Sequence, residues 1–350
     1  MSTLKYSFRS DYGEMAHPKV LEALAKVGST QFGGYGLDEF SMTAAGLIRG
    51  LMKAPGADIH FIAGGTHANL VMISSALRPH EAVIAPETGH IFIHETGAIE
   101  ATGHKVYAVK GNNGKLCVED IEKVVTQHCD EHMVKPRLVY ISLSTESGTV
   151  YTKAELTALS QCCRRNNLYL YLDGARLGAA VNSPACDLAY SDFCDLVDAL
   201  YIGGTKNGAL FGEAIVIFTD ALKPDFRHLL KQRGAMLAKG AAISVQFITL
   251  LNDRLYDELA DHAVSMALKL ADGIRDSGYG FLYPVETNLL IPVFPDEIAE
   301  RLHQLYDFYD WDQQEPGAMT AVRVVTSWAT PESIVDAFIA DLKGIQRDSL

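Results

Sequence analysis

A lysine in a glycine-rich loop is the residue of this chain best suited to covalent chemistry. Lys206 lies in the segment Gly203-Gly204-Thr205-Lys206-Asn207-Gly208, directly after an apolar run at 199–202. A lysine whose pKa is lowered by partial burial and cationic neighbours forms Schiff bases with carbonyl compounds. The alternative is a solvent-exposed loop lysine, which taken by itself is the more frequent case. The choice depends on the groups that the fold places beside it.

A carboxylate and an arginine follow another apolar run, in the segment Leu172-Asp173-Gly174-Ala175-Arg176-Leu177. A carboxylate at the end of a buried strand is costly unless it is paired, and the protonated ring nitrogen of a cofactor would be such a partner for Asp173. Arg176 carries a planar fork that suits a carboxylate. Alternatively, Asp173 and Arg176 form an ion pair at the start of a helix.

Two more segments could contact a flat, phosphorylated ligand. Gly64-Gly65-Thr66 stands between the apolar run 59–63 and a helical pattern. Backbone N–H groups and a helix dipole favour a phosphate at such a place, although an ordinary tight turn has the same composition. His90 follows the run 82–85 and could stack on a ring or simply cap a helix. His94, one helical turn later, is equally consistent with a surface position.

Apolar runs and helical patterns alternate through most of the chain. Strands are predicted at 59–63, 82–85, 105–109, 137–142, 168–172, 199–202 and 214–218, and helices at 66–77, 91–101, 118–127 and 153–165. Continuous apolar runs suit strands that are buried on both faces, and the helices between them suit right-handed crossovers. This pattern predicts an α/β fold with a mostly parallel, doubly wound sheet. Ligands of such sheets bind beyond the carboxyl ends of the strands, where all four motifs lie.

The pattern changes near residue 255. A long helix is predicted at 255–270, strands at 287–293 and 322–326, and a last helix at 331–345. We therefore expect a large domain over 1–254 and a smaller C-terminal α+β domain over 255–350.

Composition excludes some classes of protein. The chain has 350 residues, of which 48% are hydrophobic and 21% charged, as in ordinary globular proteins. Its net charge of −13 would repel a phosphate backbone, so no nucleic-acid partner is expected. The six cysteines form no CxxC pair and are expected to be reduced thiols. No metal site, membrane span or signal peptide is predicted, which favours a cytoplasmic location.

Taken in order, these motifs resemble the threonine aldolase group. This group belongs to the fold-type-I pyridoxal 5′-phosphate (PLP) enzymes, in the β-eliminating-lyase branch of the aspartate aminotransferase superfamily. The similar segments are Gly64-Gly65-Thr66, Gly89-His90-Ile91 with Glu95, Leu172-Asp173-Gly174-Ala175-Arg176-Leu177, and Lys206 with its glycines. Phe8-Arg9-Ser10-Asp11, Tyr35-Gly36-Leu37-Asp38 and Ala321-Val322-Arg323-Val324-Val325-Thr326 extend the resemblance to nearly the whole chain.

The resemblance implies how PLP would be bound. Lys206 would hold the cofactor as a Schiff base, Asp173 would keep the pyridine nitrogen protonated, and His90 would stack on the ring. That charge makes the ring an electron sink for a carbanion at Cα. The other implied cofactor contacts are Gly64, Gly65 and Thr66 around the phosphate, with Thr205 a weaker candidate, and Arg176.

The resemblance also implies a reaction, the retro-aldol cleavage of a β-hydroxy-α-amino acid such as threonine or allo-threonine to glycine and an aldehyde. His90 would remove the β-hydroxyl proton, directly or through water, and Glu95 could orient it. Ser10, Arg176 and Arg323 would bind the carboxylate of the amino acid. Relatives assemble as homodimers or homotetramers with the active site at the subunit interface, where Tyr35 would reach the neighbouring subunit.

Two segments depart from the family pattern. Relatives carry Glu-Asn-Thr-His-Asn where this chain has 142–149, so the histidine that contacts the substrate hydroxyl is missing, and Glu146 or Thr145 is the candidate substitute. In the loop 231–239, Lys239 could take the role of an arginine near the phosphate. The first departure leaves open a β-elimination on a serine- or cysteine-like amino acid. An aminotransferase and a catalytically silent binding protein remain as further alternatives.

Overall fold

The computed structural model describes residues 5–312 and 319–348, which form a seven-stranded sheet, a five-stranded sheet, a two-stranded sheet and the helices packed on them. The strands are β1 (Tyr6–Ser7), β2 (Asp58–Ile62), β3 (Glu81–Pro86), β4 (Lys105–Val109), β5 (Lys135–Ser142), β6 (Tyr169–Asp173), β7 (Ala199–Gly203), β8 (Glu213–Ile217), β9 (Gly280–Phe281), β10 (Leu289–Leu290), β11 (Pro292–Pro295), β12 (Tyr306–Asp307), β13 (Tyr309–Asp312) and β14 (Met319–Val325). The α-helices are α1 (Pro18–Lys26), α2 (Glu39–Leu51), α3 (Gly65–Ala76), α4 (His90–Ile93), α5 (Val118–Gln127), α6 (Lys153–Arg165), α7 (Leu177–Val181), α8 (Phe193–Leu196), α9 (Phe226–Gln232), α10 (Ala241–Leu251), α11 (Leu255–Asp276), α12 (Asp296–Leu305) and α13 (Glu332–Asp348).

The large sheet has the strand order β2-β8-β7-β6-β5-β3-β4. Its neighbouring strands are parallel except β8, which runs antiparallel to both β2 and β7. Every residue of β3, β7 and β8 is buried, because an apolar cluster covers each face of the sheet. These strands were therefore recognisable as continuous apolar runs. The predicted α/β class with a mostly parallel sheet is confirmed.

A smaller antiparallel sheet has the order β10-β14-β11-β9, and β13 pairs with β14. The helices α11, α12 and α13 pack beside it and enclose a third apolar cluster. β1 pairs with β12, and Phe8 is buried in that same cluster, so the amino-terminal segment is anchored on this smaller part. The division of the chain at residue 254 stays a prediction.

The helix predicted at 91–101 is wrong. α4 ends at Ile93, and only a 3₁₀ turn at Glu100–Thr102 follows. Thr96 and Gly97 both adopt left-handed backbone angles, with φ of 52° and 71°, which a right-handed helix cannot continue through. The chain therefore turns back after one helical turn.

Two boundaries in the smaller part also differ from expectation. The strand predicted at 287–293 is divided into β10 and β11, which share β14 as a neighbour. The helix predicted at 255–270 continues as α11 to Asp276, because its apolar stripe extends through Ile274 into the core. Within residues 5–312 and 319–348 no helix is long and apolar enough to span a membrane.

Candidate active site

A cavity of about 310 Å³ lies at the edge of the large sheet where the parallel strands end. β5, β6 and β7 end there, and the antiparallel β8 begins there. Its walls are formed by Tyr12, Ala63, Gly64, Gly65, Thr66, His90, Glu146, Asp173, Ala175, Tyr201, Thr205, Lys206, Phe211 and Glu213. All four motifs whose residues could do chemistry therefore meet in one cavity, as expected for ligand sites of open α/β sheets.

Lys206 lies in the cavity wall on the tight turn that follows β7. A side chain at Gly203 would come within 2.3 Å of the Ala175 carbonyl oxygen, and one at Gly204 within 2.6 Å of the Gly212 carbonyl oxygen. Glycines are needed here because the turn packs directly on neighbouring backbone. Burial and the guanidinium of Arg176 lower the pKa of Lys206. The solvent-exposed alternative for this lysine is wrong, and its amine has the environment of a nucleophile.

Asp173, the last residue of β6, is a buried carboxylate held by several donors. Its side chain accepts hydrogen bonds from Asn69 Nδ2 at 2.9 Å, the Tyr140 hydroxyl at 2.7 Å and the Ala175 N–H at 3.0 Å. Burial would raise its pKa, but these donors, the Tyr201 hydroxyl and the nearby His90 lower it. Asp173 therefore faces the cavity as an anion.

His90 is the first residue of α4, and its orientation is fixed by a carboxylate. Its Nδ1 lies 2.8 Å from Oε1 of Glu95, and the same oxygen accepts a hydrogen bond from Asn69 at 2.8 Å. The early end of α4 thus places Glu95 beside His90. Burial lowers the pKa of His90, but Glu95 and the carboxylates of Glu146 and Asp173 outweigh burial and raise it. The hydrogen bond to Glu95 uses Nδ1, so Nε2 is the ring nitrogen that does not pair with Glu95.

Arg176 pairs with Asp11 and not with Asp173, so an Asp173–Arg176 ion pair is excluded. Its Nε and Nη2 donate to the two oxygens of Asp11 at 2.6 and 3.0 Å, and Asn288 Nδ2 donates to Asp11 at 3.0 Å. Although burial opposes it, these contacts lower the pKa of Asp11 to about 2. The third nitrogen, Nη1, lies 4.0 Å from Glu146 and is the one that Asp11 leaves free.

The other residues expected to bind the substrate carboxylate lie close to Arg176. Arg323 donates from Nη1 to the Arg9 carbonyl oxygen at 3.0 Å, next to Ser10 in the chain. Burial and the charge of Arg176 lower the pKa of Arg323, which indicates that the two guanidinium groups are neighbours. Each guanidinium group offers several N–H donors in a planar fork, which suits a carboxylate group of a ligand.

Tyr35 and Lys239 lie outside this cavity. Tyr35 lines a separate cavity of about 390 Å³, where the Lys231 ammonium lies 4.4 Å from the centre of its ring. Lys239 is exposed. A role for either residue in the site of a neighbouring subunit stays a prediction.

The start of α3 has the features of an anion site. Gly64 caps the helix without a side-chain hydrogen bond, so the first N–H groups of α3 are left for a ligand. A Cβ at Gly64 would meet no atom within 4 Å, whereas one at Gly65 would lie 2.8 Å from the Tyr201 hydroxyl. With an amine of lowered pKa and an ionised carboxylate in the same cavity, this donor set fits PLP: Lys206 for the aldehyde carbon, Asp173 for the ring nitrogen and α3 for the phosphate.

Several side chains of the site were not predicted from the sequence: Asp11, Asn69, Tyr140, Tyr201 and Glu213. The two tyrosines were hidden because β5 and β7 read as continuous apolar runs. Asn69 carried a usable signal, since it follows the Gly-Gly-Thr motif on a helix face that is otherwise apolar. Asp11 was visible as part of a motif but had no assigned role.

The comparisons with known proteins agree with this geometry. The beta-eliminating lyase family model matches residues 8–296. The chain is 32% identical over 349 residues to a low specificity L-threonine aldolase of a Pseudomonas species, covering 99% of each chain. Its fold matches a threonine aldolase of Leishmania major with a TM-score of 0.95 and 47% identity, covering 97% of this chain and 99% of the other.

A more distant comparison concerns the fold alone. An aspartate aminotransferase of Thermus thermophilus superimposes with a TM-score of 0.74 at 14% identity, covering 98% of this chain and 92% of the other. The resemblance noted from the motifs is thus confirmed, together with the fold expected from it. The chain belongs to the beta-eliminating lyase family and, within it, to the threonine aldolase group.

Proposed function

We propose that the chain is a PLP-dependent carbon–carbon lyase that cleaves L-threonine or L-allo-threonine to glycine and acetaldehyde. The observation that carries this proposal is the meeting of Lys206, Asp173 and the open start of α3 in one cavity. The names of the similar proteins, low specificity L-threonine aldolase and threonine aldolase, support the same substrate class.

Each cofactor-binding residue has one task in this mechanism. The amine of Lys206 would hold the cofactor covalently, and its lowered pKa leaves more of the amine unprotonated and nucleophilic. Asp173, as an ionised carboxylate, would keep a proton on the ring nitrogen. The N–H groups that follow Gly64 would hold the phosphate. When bound, PLP supplies the electron sink that makes cleavage of the Cα–Cβ bond accessible.

The substrate is held at its carboxylate and deprotonated at its β-hydroxyl group. Arg176 through Nη1, together with Arg323 and Ser10, binds the carboxylate and fixes which bond of Cα is aligned for cleavage. The β-hydroxyl proton is taken by one of two groups in the cavity, Nε2 of His90 or the carboxylate of Glu146. Glu95 holds the histidine ring in place through Nδ1.

The cofactor assignment is tested by trapping. Borohydride treatment of the purified holoenzyme should remove the visible absorption band and leave a reduced adduct on the peptide that contains Lys206. The K206A variant should give no adduct, whereas K110A, which removes an exposed lysine, should behave as the wild type. The absence of any adduct in the wild-type protein would refute the proposed function and favour a silent binding protein.

Product analysis separates the reactions that the same cofactor supports. Threonine and allo-threonine should yield glycine and acetaldehyde. Pyruvate and ammonia from serine or cysteine, without glycine from threonine, would establish β-elimination instead. The similar proteins do not favour that alternative. A pyridoxamine form after mixing with an amino donor would indicate an aminotransferase.

We also propose that the chain acts as a homodimer or homotetramer with the active site at the subunit interface. Exposed apolar side chains on the amino-terminal segment, just before α2 and on α2 support this assembly, namely Tyr12, Leu37 and Met42. Tyr12 also lines the active-site cavity. Sedimentation of the holoenzyme should give a multiple of the 38.2 kDa chain mass. The cytoplasmic location and the domain division at residue 254 are further proposals.

A further inference from the structure

Glu213 is a buried carboxyl group in the cofactor cavity to which the mechanism above gives no task. It is the first residue of β8 and is only 4% exposed. Because β8 is antiparallel, Glu213 lies at the edge where the neighbouring strands end, opposite Gly203 of β7 and Ile62 of β2. Ile62 is two residues before Gly64. Glu213 therefore stands between the turn that carries Lys206 and the segment that leads to the phosphate site.

The hydrogen bonds of Glu213 come from the turn that carries Lys206. The Gly204 N–H donates to its Oε2 at 2.7 Å, and the N–H and hydroxyl of Thr205 also donate to it. The Thr205 hydroxyl oxygen in turn accepts the Gly212 N–H at 3.0 Å, which leaves its own hydrogen for Glu213. These donors partly replace the hydration that the carboxyl group loses on burial.

The charges around Glu213 do not neutralise it fully. Lys206 is the cation that acts on it, and no ion pair of Glu213 within 4.0 Å occurs in the described part of the chain. The other titratable groups facing it are the phenols of Tyr171, Tyr201 and Tyr256, whose pKa values are raised by burial and by neighbouring carboxylates, Glu213 among them. Burial, opposed by these hydrogen bonds and by Lys206, raises the pKa of Glu213 to about 7.

We propose that Glu213 takes up a proton when the phosphate group of PLP binds at the start of α3, so that cofactor affinity is linked to pH through this carboxyl group. The inference rests on the proposed function. A phosphate monoester carries close to two negative charges above its second pKa of about 6. A carboxylate lining the same cavity repels it, whereas a carboxylic acid does not, and binding therefore favours the protonated form of Glu213.

This linkage weakens binding of the phosphate group as pH rises. Below pH 7 Glu213 is mostly protonated, so the phosphate group binds without repulsion from this carboxyl group. Above pH 7 the proton must be taken from solvent, so affinity should fall with rising pH by at most about tenfold for each pH unit. The E213Q variant keeps the shape of the neutral acid and should not show this loss over the same range.

The experiment measures binding of pyridoxine 5′-phosphate to the apoprotein from pH 7 to 9. This ligand keeps the phosphate but has an alcohol in place of the aldehyde, so Lys206 cannot react with it. Unphosphorylated pyridoxine is the matched ligand. E81Q is the matched variant, since Glu81 is a buried glutamate of the same sheet that lies outside the cavity and accepts a hydrogen bond from the Arg78 N–H. Calorimetry in buffers of different ionisation enthalpy counts the protons taken up.

We expect the wild type and E81Q to lose affinity for the phosphorylated ligand with rising pH and to take up as much as about one proton at pH 8, beyond the uptake by the ring nitrogen beside Asp173. E213Q with the phosphorylated ligand, and every variant with pyridoxine, should show only the ring-nitrogen contribution. The inference would be overturned by parallel pH curves for the wild type and E213Q, or by a wild type that takes up no more protons with the phosphorylated ligand than with pyridoxine; the second result does not depend on how well the variant folds. If PLP itself left no adduct on Lys206, the proposed function would fail instead.

Discussion

Replacing Asp11 by asparagine tests whether Arg176, the arginine proposed to bind the substrate carboxylate, is held in place by a buried ion pair. The side chains of Arg176 and Asp11 are 5% and 2% exposed, and two nitrogens of the guanidinium donate to the two carboxylate oxygens. D11N keeps the size of the side chain but directs an amide N–H group at these donors. Among the described residues, Glu146 at 4.0 Å is then the remaining carboxylate within ion-pair distance of Arg176.

The expected cost is large because the partner charge stays buried. Removing one member of a buried ion pair destabilises a protein by about 3–5 kcal/mol, whereas exposed pairs contribute about 0–1 kcal/mol. The chain contains a matched exposed pair: Arg9 and Asp307 meet at 2.8 Å with side chains 46% and 39% exposed. D307N is therefore the control for D11N.

Urea denaturation of both apoproteins measures the free energy of unfolding, and steady-state kinetics measure the KM for threonine. D11N should lose about 3–5 kcal/mol of unfolding free energy. Its KM for threonine should rise about tenfold or more, since a hydrogen bond to a charged group contributes about 1.5–3 kcal/mol. D307N should lose at most about 1 kcal/mol and keep its KM. A loss in D11N no greater than that in D307N would refute the reasoning.

Three further predictions concern other parts of the site. E95Q should lower the pKa of His90, since burial already opposes protonation and the charged hydrogen bond is lost; an NMR titration of the ring that shows no downward shift would contradict this. G64A should weaken PLP binding without changing the stability of the apoprotein. G65A should reduce both PLP binding and apoprotein stability, because its Cβ would lie 2.8 Å from the Tyr201 hydroxyl oxygen. Equal melting temperatures for the two variants would argue against this packing. Because its pKa is raised, Glu213 contributes to the free energy of unfolding below pH 4.5, and this contribution is lost as pH rises through about 7. The free energy of unfolding of the apoprotein should therefore fall by on the order of 3 kcal/mol between pH 5 and 8, and that of E213Q should not.

The large sheet could be predicted from the sequence because its strands are buried on both faces. β3, β7 and β8 contain no exposed residue, so each reads as a bounded apolar run. The small sheet was harder, since β9 and β10 have two residues each and carry no periodicity. The false helix at 91–101 shows a different limit: Thr96 is left-handed in the structure, and its residue type does not favour that backbone angle.

The residues of the active site, too, could be predicted from the sequence only in part. Residues at or just beyond the end of a strand, such as Asp173 and Lys206, could be placed at one edge of the sheet from the order of the apolar runs alone. Partners that come from distant parts of the chain could not. Asp11 meets Arg176 across 165 positions, and no local pattern records such a contact. Glu213 was missed because β8 was read as a further strand of the sheet, and only its antiparallel direction brings its first residue to the cavity.

The pairing of Asp11 with Arg176 and Asn288 has a consequence for the order in which the enzyme is made. The ribosome releases the chain from its amino terminus, and domains fold as they emerge. A nascent chain of about two thirds of the full length carries Lys206 and Asp173, but it lacks Asn288, 277 positions after Asp11, and also Arg323. A growing chain thus contains all the residues proposed to bind the cofactor before it contains Arg323, one of the residues proposed to bind the substrate carboxylate. The carboxylate side of the pocket is completed only near the end of synthesis.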